Sequence, residues 1–246
     1  MSVEFIADLH LHSCLSPCAE LSMSPKGIVE RAASLGINII AVCDHNSAEN
    51  VEATERLAHS KGIRLFPGME ITSAEEVHLL GLFRDTASVI KMQETVYARL
   101  QQGEHDEEAF GMQVVANEED EVLGFNNRLL IGATDMPVQE IVERIHEIGG
   151  LAITSHIDRE GFGIIGQLGF IPPDLRFDAL EISRRLAPEQ AQEQFSHYSK
   201  VPWISSSDAH TVDDIGKRTI RLVMEHATFD EFRLALRGED GRRVIF

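Results

Sequence analysis

Apolar positions along this chain fall into two alternating spacings. Short continuous apolar runs bounded by turn residues read as buried strands, and apolar residues three or four apart read as helices packed by one face. Phe5 to His10 forms the first strand. Ser24-Pro25 then supplies a helix cap followed by proline at the first helical position. Ile28, Ala32 and Leu35 follow at helical spacing, and Gly36 ends the helix. Ile37 to Val42 is a continuous apolar strand, and Val51 to Lys61 a helix. Arg64 to Phe66 leads a third strand into Pro67-Gly68-Met69-Glu70, Val77 to Phe83 is a fourth, and Asp85 to about Gln102 is a long helix.

The rhythm breaks between 103 and 135. Gly103 to Glu108 is polar and reads as a loop. Gln113 to Ala116 and Glu121 to Phe125 flank the acidic turn Asn117 to Asp120, a pattern that suits a hairpin or a turn between helices. Regularity resumes with a helix over 137–148, whose Ile141, Ile145 and Ile148 share a face before Gly149-Gly150. Strands follow at Leu151 to Ser155, Ala179 to Ile182, Trp203 to Ser206 and Thr219 to Met224, and a closing helix at Phe229 to Leu236.

Strands alternating with helices, each strand apolar throughout, imply a parallel sheet covered on both faces. Seven or so such units in 246 residues fit an α/β fold, a closed or distorted β/α barrel, with an open doubly wound sheet as the alternative. No repeat and no Pro-, Gly- or Ser-rich linker divides the chain. A single barrel domain over 1–246 with a variable insertion at 103–135 is expected.

Polar residues interrupt the pattern at one recurring place, the strand ends. His10 and His12 close the first strand, Asp44-His45 follow the second, Glu70 follows the third, and His78 lies early in the fourth. His156 ends the strand at 151, and Asp208-Ala209-His210 end the one containing Trp203. Residues two apart on a strand point the same way, so His10 and His12 can face one ion. In a β/α barrel the C-terminal strand ends meet on one face, where active sites are built. Imidazole and carboxylate are ligands of Zn, Mn and Fe. So many donors are too many for one ion and suit two or three. His59, His105, His146, His197 and His226 lie away from strand ends and read as surface or helix residues.

Composition narrows the rest. The hydrophobic content of 43% is ordinary for a chain with a full core. No run of about 18 apolar residues appears, so no membrane span is expected. Met1-Ser2-Val3-Glu4 lacks the basic start and apolar stretch of a secretion signal, and a cytoplasmic location is the expectation. Three cysteines without such a signal argue against a disulfide framework. Cys14 and Cys43 read as small buried side chains. A formal net charge of −18 repels polyanions at long range, so no extended nucleic-acid binding is expected. Bound divalent cations would reverse that sign locally, which leaves a small phosphorylated substrate as the expected partner.

The ordered set Asp8-Leu9-His10-Leu11-His12-Ser13, Asp44-His45-Asn46, Gly68-Met69-Glu70, His78, Ser155-His156 and Ser207-Asp208-Ala209-His210 resembles the PHP family, named for polymerase and histidinol phosphatase. The resemblance runs from about 5 to 225 and is weakest between 85 and 135. It implies a distorted (β/α)7 barrel, two or three divalent metal ions (Mn, Fe or Zn) and phosphoester hydrolysis. Carried onto this chain, it implies that His10, His12, Glu70 and Asp208 hold a first metal. Glu70 bridges to a second, completed by His78 and His156. His45 and His210 hold a third. The family's remaining ligand for that third metal, a His or Asp shortly after the HxH pair, has no counterpart in Ser13 to Cys18. Cys18 stands where some members carry a His, and metal binding favours its thiolate.

Phosphate needs cations beyond the metals, and a guanidinium fork suits it well. Arg159 follows His156 by three residues, and Arg184-Arg185 follow the strand ending at Ile182. Asp44, Arg159 and Arg184 are therefore the candidate catalytic residues, Asp44 by orienting a water or a ligand histidine. Gly161-Phe162-Gly163-Ile164-Ile165-Gly166 has the wrong spacing for a dinucleotide fingerprint and reads as a flexible connection, or else a loop over the substrate. The expected reaction is hydrolysis of a small phosphomonoester, a nucleotide or a short oligonucleotide by metal-activated hydroxide. The alternatives are an amidohydrolase-type metal hydrolase, whose barrels also open with HxH, and a non-catalytic PHP-like module.

Overall fold

The structure is a computed structural model and describes residues 2–103 and 105–246. Met1 of the expected leaderless start and Glu104 of the expected polar loop lie outside the described residues. In chain order the elements are β1 (Val3–Leu11), α1 (Pro25–Ser34), β2 (Ile39–Val42), α2 (Val51–Ser60), β3 (Arg64–Thr72), β4 (His78–Leu82) and α3 (Thr86–Arg99). They continue with α4 (Glu107–Phe110), β5 (Val114–Ala116), β6 (Val122–Phe125), α5 (Val138–Glu147), β7 (Leu151–Thr154), α6 (Ile164–Leu168) and β8 (Ala179–Glu181). The last are α7 (Pro188–Phe195), β9 (Trp203–Ile204), β10 (Ile220–Met224), α8 (Phe229–Arg237) and β11 (Arg243–Ile245).

Nine strands form one sheet in the order β11-β10-β1-β2-β3-β4-β7-β8-β9. The chain beyond β9 returns to β1, where Leu11 pairs in parallel with Ala209 and His12 N–H donates to the Ala209 carbonyl at 3.0 Å. The seven strands from β1 round to β9 thereby curl into a nearly closed barrel. β10 and β11 extend the sheet beside the first half of β1, where Phe5 pairs with Leu222.

The expectation of a uniformly parallel sheet is corrected at two places. β4 runs antiparallel to both β3 and β7, and β10 runs antiparallel to β1. The reason lies in the connection: residues 73–77 are too few for the crossover that a parallel partner requires, so β3 and β4 form a hairpin. The reversal explains why His78 sits early in its strand. Thr72 pairs with His78, so the start of β4 lies at the end of β3.

Strand parity divides the core in two. Ala7, Leu9, Ile39, Ala41, Phe66, Leu80, Leu82, Ile153, Ala179 and Ile204 pack with α8 inside the barrel. Ile40, Val42, Leu65, Met69, Ile71 and Leu79 pack outward against the helices. α8 closes the lower end, with Phe66 edge-on to Phe229 at 5.6 Å and stacked on Phe232 at 5.5 Å. Truncating Phe66 to alanine would cost about 3–5 kcal/mol.

The expected cap of α1 holds, since Ser24 accepts from Gly27 N–H at 3.1 Å with Pro25 following, and α3 starts one residue after Asp85, which caps it through Ser88 N–H. Gln113 to Phe125 resolves as the β5–β6 hairpin. α4, α6, α7 and β11 were not expected. α7 has one fully buried residue, Ala191, so it carries no apolar stripe to read. No helix among the described residues is long and apolar enough to cross a membrane.

Candidate metal centre

Inside the barrel each strand changes chemistry along its length. The inward positions of β3 run Phe66, Gly68, Glu70, those of β4 run Leu82, Leu80, His78, and those of β8 run Ala179, Glu181. The apolar members belong to the core, while Glu70, His78 and Glu181 are buried and ionisable. Side chains two apart share a face, so every strand delivers its polar residue to one end. On β1 the register slips between Asp8 and Leu11. One extra residue there re-aims the strand. Leu9 stays in the inner core while His10 and His12 both turn to the centre. Gly68 has no room for a side chain, since a Cβ would lie 2.5 Å from Cys43 Sγ.

The result is a tight group of donors. His10 Nε2 and His12 Nε2 lie 3.1 Å apart. Glu70 oxygens sit 3.5 Å from each of them, and Asp208 Oδ1 lies 3.6 Å from His10 and 3.3 Å from His12. On the other side of Glu70, His45 Nδ1 is 3.1 Å, His78 Nδ1 3.2 Å and His156 Nε2 3.6 Å away. His210 stacks on His12 at 4.2 Å. Three overlapping sets of ligand atoms each converge within 4.8 Å: His10, His12 and Asp208; His45, Glu70 and His78; and His12, His45 and His210.

The ring tautomers follow from the partners behind. Both Glu181 oxygens face His10 Nδ1, at 3.0 and 3.2 Å. A carboxylate only accepts, so His10 carries its proton on Nδ1 and presents an Nε2 lone pair. Ser16 Oγ donates to Asp44 at 2.7 Å and receives His45 N–H at 3.2 Å. It therefore accepts from His12 Nδ1, 3.0 Å away, and His12 too presents its Nε2 lone pair. Two lone pairs 3.1 Å apart repel unless a proton or a metal cation lies between them. His45 Nδ1, His78 Nδ1 and Glu70 Oε1 are likewise buried and make no hydrogen bond. Buried polar atoms are normally hydrogen-bonded, and these only approach one another, His45 and His78 lying 3.1 and 3.2 Å from the Glu70 oxygens. Nitrogen and carboxylate donors so arranged fit divalent Zn, Mn or Fe.

Electrostatics fit the same requirement. Burial draws the His10 pKa down, but the carboxylates of Glu181, Glu70 and Asp208 outweigh it and hold His10 well above the ordinary imidazole value. Burial and the neighbouring His210 push His12 down to about 4. Burial and His12 hold His45 well below its usual value. Glu70 is held well below the carboxylate range because His78 and His10 overcome the cost of its burial. His12 and His45 held neutral and Glu70 held ionised are the ligand forms, whereas His10 is held toward its protonated form and must release a ring proton to bind an ion.

A second layer fixes this group, and sequence reasoning missed most of it. Glu181 also accepts the His156 N–H at 3.1 Å. Asp8 receives Ser207 N–H at 2.9 Å and Gly216 N–H at 3.0 Å, which anchors the segment bearing Asp208. Asn46 receives Thr72 N–H and donates to the Leu130 and Gly132 carbonyls, which ties the end of the insertion to the centre. Among the described residues, seven other than glycine have positive φ, and four of them (Asn46, His156, Phe162 and Asp208) lie here. Strained backbone of this kind gathers at functional sites. The signal available in the sequence was a lone glutamate inside the apolar run Ala179-Leu180-Glu181-Ile182.

The remaining expected site residues fall as follows. Asp44 is fully buried behind His12, and its oxygens are taken by Ser13 N–H, Ser13 Oγ and Ser16 Oγ at 2.6 to 2.7 Å. It braces the loop rather than facing a substrate. Arg159 faces the centre, donating to Asp208 at 2.9 Å. Arg184 is turned to Asp214 at 2.9 Å. Cys18 is exposed and belongs to none of the three converging sets. Cys14 and Cys43 are buried and free. His59, His105, His146, His197 and His226 take no part in the converging sets.

Known proteins share these features. The PHP domain family model matches residues 8–130. YqxK of Bacillus subtilis, a protein without an assigned function, is 31% identical over 108 residues, or 42% of this chain and 28% of its own. The 5'-3' exoribonuclease of Haemophilus influenzae is 37% identical over 78 residues, or 30% of this chain and 27% of its own. The matched segments are thus under a third of either relative. Among solved structures, the lesion-specific endonuclease Q of Pyrococcus furiosus superposes with a TM-score of 0.76 at 20% identity, covering 98% of this chain and 58% of that one. An amidohydrolase of Chromobacterium violaceum superposes with a TM-score of 0.58 at 20% identity, covering 87% of this chain and 90% of that one.

One expectation is overturned by this fold. An endonuclease Q with a TM-score of 0.73 holds a 27-mer duplex with an abasic lesion at its active site, so the acidic balance of this chain does not exclude nucleic-acid binding. Net charge is a sum over the molecule, whereas a phosphate meets the local field. Glu70 and Asp208 stand where cations would neutralise them, with Arg159 beside Asp208. With half the chain matched by the family model, and its fold shared with proteins that carry the same barrel, the chain belongs to the PHP domain family.

Proposed function

We propose that this chain is a metal-dependent phosphoesterase acting on a phosphomonoester, a nucleotide or a nucleic-acid strand. The observation that carries it is the facing pair of His10 and His12 Nε2 atoms, 3.1 Å apart and ringed by Glu70 and Asp208. In this proposal His10, His12, Glu70 and Asp208 hold one ion, His78 and His156 with Glu70 a second, and His45 and His210 a third where one binds. Such ions supply Lewis acidity and an activated water at neutral pH. The protein's own residues do the remaining work. Glu181 and Ser16 keep the Nε2 lone pairs of His10 and His12 pointed at the centre. Arg159 keeps one guanidinium nitrogen on Asp208 and its others free for a phosphate oxygen. A guanidinium so placed neutralises charge that develops as the phosphoester is cleaved.

The amidohydrolase reading is favoured less because Arg159 stands at the centre beside the Asp208-Ala209-His210 segment, a cation an anionic substrate needs and a neutral amide does not. The test is turnover by protein loaded with Mn, Fe or Zn against a panel of phosphomonoesters, oligonucleotides, amides and lactones. Cleavage of phosphoesters alone is expected. Cleavage of amides or lactones alone would replace this proposal with the amidohydrolase one, and no turnover of any of them would favour a binding module.

A further inference from the structure

Beside the centre lies an aromatic ring that the coordination of metals does not need. Phe162 is 41% exposed, between exposed Gly161 and buried Gly163. One face of its ring stacks on His78, with centroids 4.4 Å apart and planes 19° apart. Its backbone has φ +61, a region that a bulky side chain rarely occupies. The main chain holds it there, because Phe162 accepts the His78 N–H at 2.9 Å. The loop also has no slack: a Cβ on Gly163 would lie 2.3 Å from the Arg159 carbonyl oxygen. The sequence reading of this stretch as a flexible connection is thereby corrected.

The exposed side of this loop lines a cavity of about 460 Å³ with Arg159, Glu160, Arg185 and Leu186 in its walls. That volume lies within the range of small-molecule sites, about 300–1,000 Å³. The Arg185 guanidinium makes no ion pair among the described residues. Asp158, also in the wall, is occupied by Ser183 N–H and Oγ at 2.7 and 2.6 Å, and Arg159 is shared with Asp208, which leaves Arg185 and the outer face of Arg159 opposite Glu160. A flat apolar ring and two guanidiniums in one cleft match a ligand that joins an aromatic plane to a phosphate.

We propose that Phe162, with Arg159 and Arg185, forms a subsite that stacks a nucleobase beside the metal centre. The substrate class is therefore a nucleotide or a nucleic-acid end rather than a base-free phosphoester, a conclusion that rests on the phosphoesterase proposal for which phosphate reacts. Stacking suits any base, because each has a π-face, so the subsite selects for a base without reading its identity.

Calorimetric titration of the full chain with AMP and with ribose 5-phosphate tests this, since the two share the phosphate and sugar and differ in the base. AMP is expected to bind about 5- to 150-fold more tightly, the span of one stacked base. Phe162→Ala should erase most of that ratio while leaving ribose 5-phosphate affinity unchanged, and Phe162→Trp should preserve it. Equal affinities in the unmodified protein, absence of AMP binding, or a ratio unchanged in Phe162→Ala would overturn the subsite. Should Phe162→Ala fail to fold, the ratio in the unmodified protein still decides. Base-dependent binding without turnover of any phosphoester would remove the catalytic proposal and leave the subsite standing.

Discussion

The Glu181 carboxylate holds His10 from behind, its two oxygens 3.0 and 3.2 Å from Nδ1, while the opposite nitrogen of the same ring points into the centre. That relationship sets the tautomer and raises the ring's basicity. Partners of this kind typically account for about 10–100-fold in metal affinity. Glu181→Ala should weaken binding of the first ion by that factor, with Glu181→Gln losing less because it keeps an acceptor. Titration with Mn or Zn followed by calorimetry reads it. Unchanged affinity in Glu181→Ala would mean that His10 is oriented by packing alone.

Ser16 is the corresponding residue behind His12, and Asp44 stands behind Ser16. Ser16→Ala leaves His12 Nδ1–H and the His45 N–H without their partner in a buried site, while Asp44 Oδ1 keeps Ser13 N–H. Each orphaned group costs about 1–3 kcal/mol. Denaturant unfolding should therefore show a loss of at least that size, together with weaker metal binding. Asp44→Asn should show the stability loss more than a change in substrate affinity. A pure kcat defect with stability intact would restore Asp44 to a direct catalytic role.

Glu70 is approached by His10, His12, His45, His78 and His156, all within 3.6 Å. A single carboxylate at the centre of five imidazoles suits a ligand shared between ions. Glu70→Gln keeps the shape and removes the charge, so turnover should be abolished and metal content reduced. The fold should survive, since the barrel core below Glu70 is apolar and self-sufficient. Turnover within tenfold of the unmodified enzyme would show that no shared ligand is needed.

The sequence made the strand ends legible because ligands must be polar and strands must not. His10, His12, His45, Glu70, His78, His156, Asp208 and His210 each stood out against an apolar run. The second layer was obscure for the opposite reason. Glu181 acts through a neighbour 171 residues away, and Ser16, four residues from His12, is an ordinary loop serine until the fold brings Asp44 behind it. The reversed direction of β4 was hidden because an apolar strand reads the same either way, and only the short link over 73–77 betrayed it. The whole-chain charge misled on nucleic acid because it carries no information on where the acid sits.

Cys18 makes a sharp comparison. It occupies the position expected of a third-site ligand, yet it is exposed and outside every converging set. His12, His45 and His210 already converge without it. Cys18→Ser should leave metal stoichiometry unchanged by elemental analysis. Loss of one ion per chain would return the thiol to the ligand list.

Gly163 tests whether the loop from His156 to Gly166 is a fixed part of the site. A Cβ there would lie 2.3 Å from the Arg159 carbonyl oxygen and 2.9 Å from that of His156. Both are backbone atoms, so no rotamer change relieves the contact. The loop must move, and with it Arg159 on Asp208 and Phe162 on His78. Overpacking of this kind costs about 1–3 kcal/mol. Gly163→Ala should therefore lower the melting temperature modestly and cut turnover more steeply than a loss of stability alone would. The barrel strands and their ligands lie outside the loop apart from His156, so binding of the first ion should persist. Full activity with an unchanged melting temperature would show that the loop yields freely and that its close winding does not hold Arg159 or Phe162 in place.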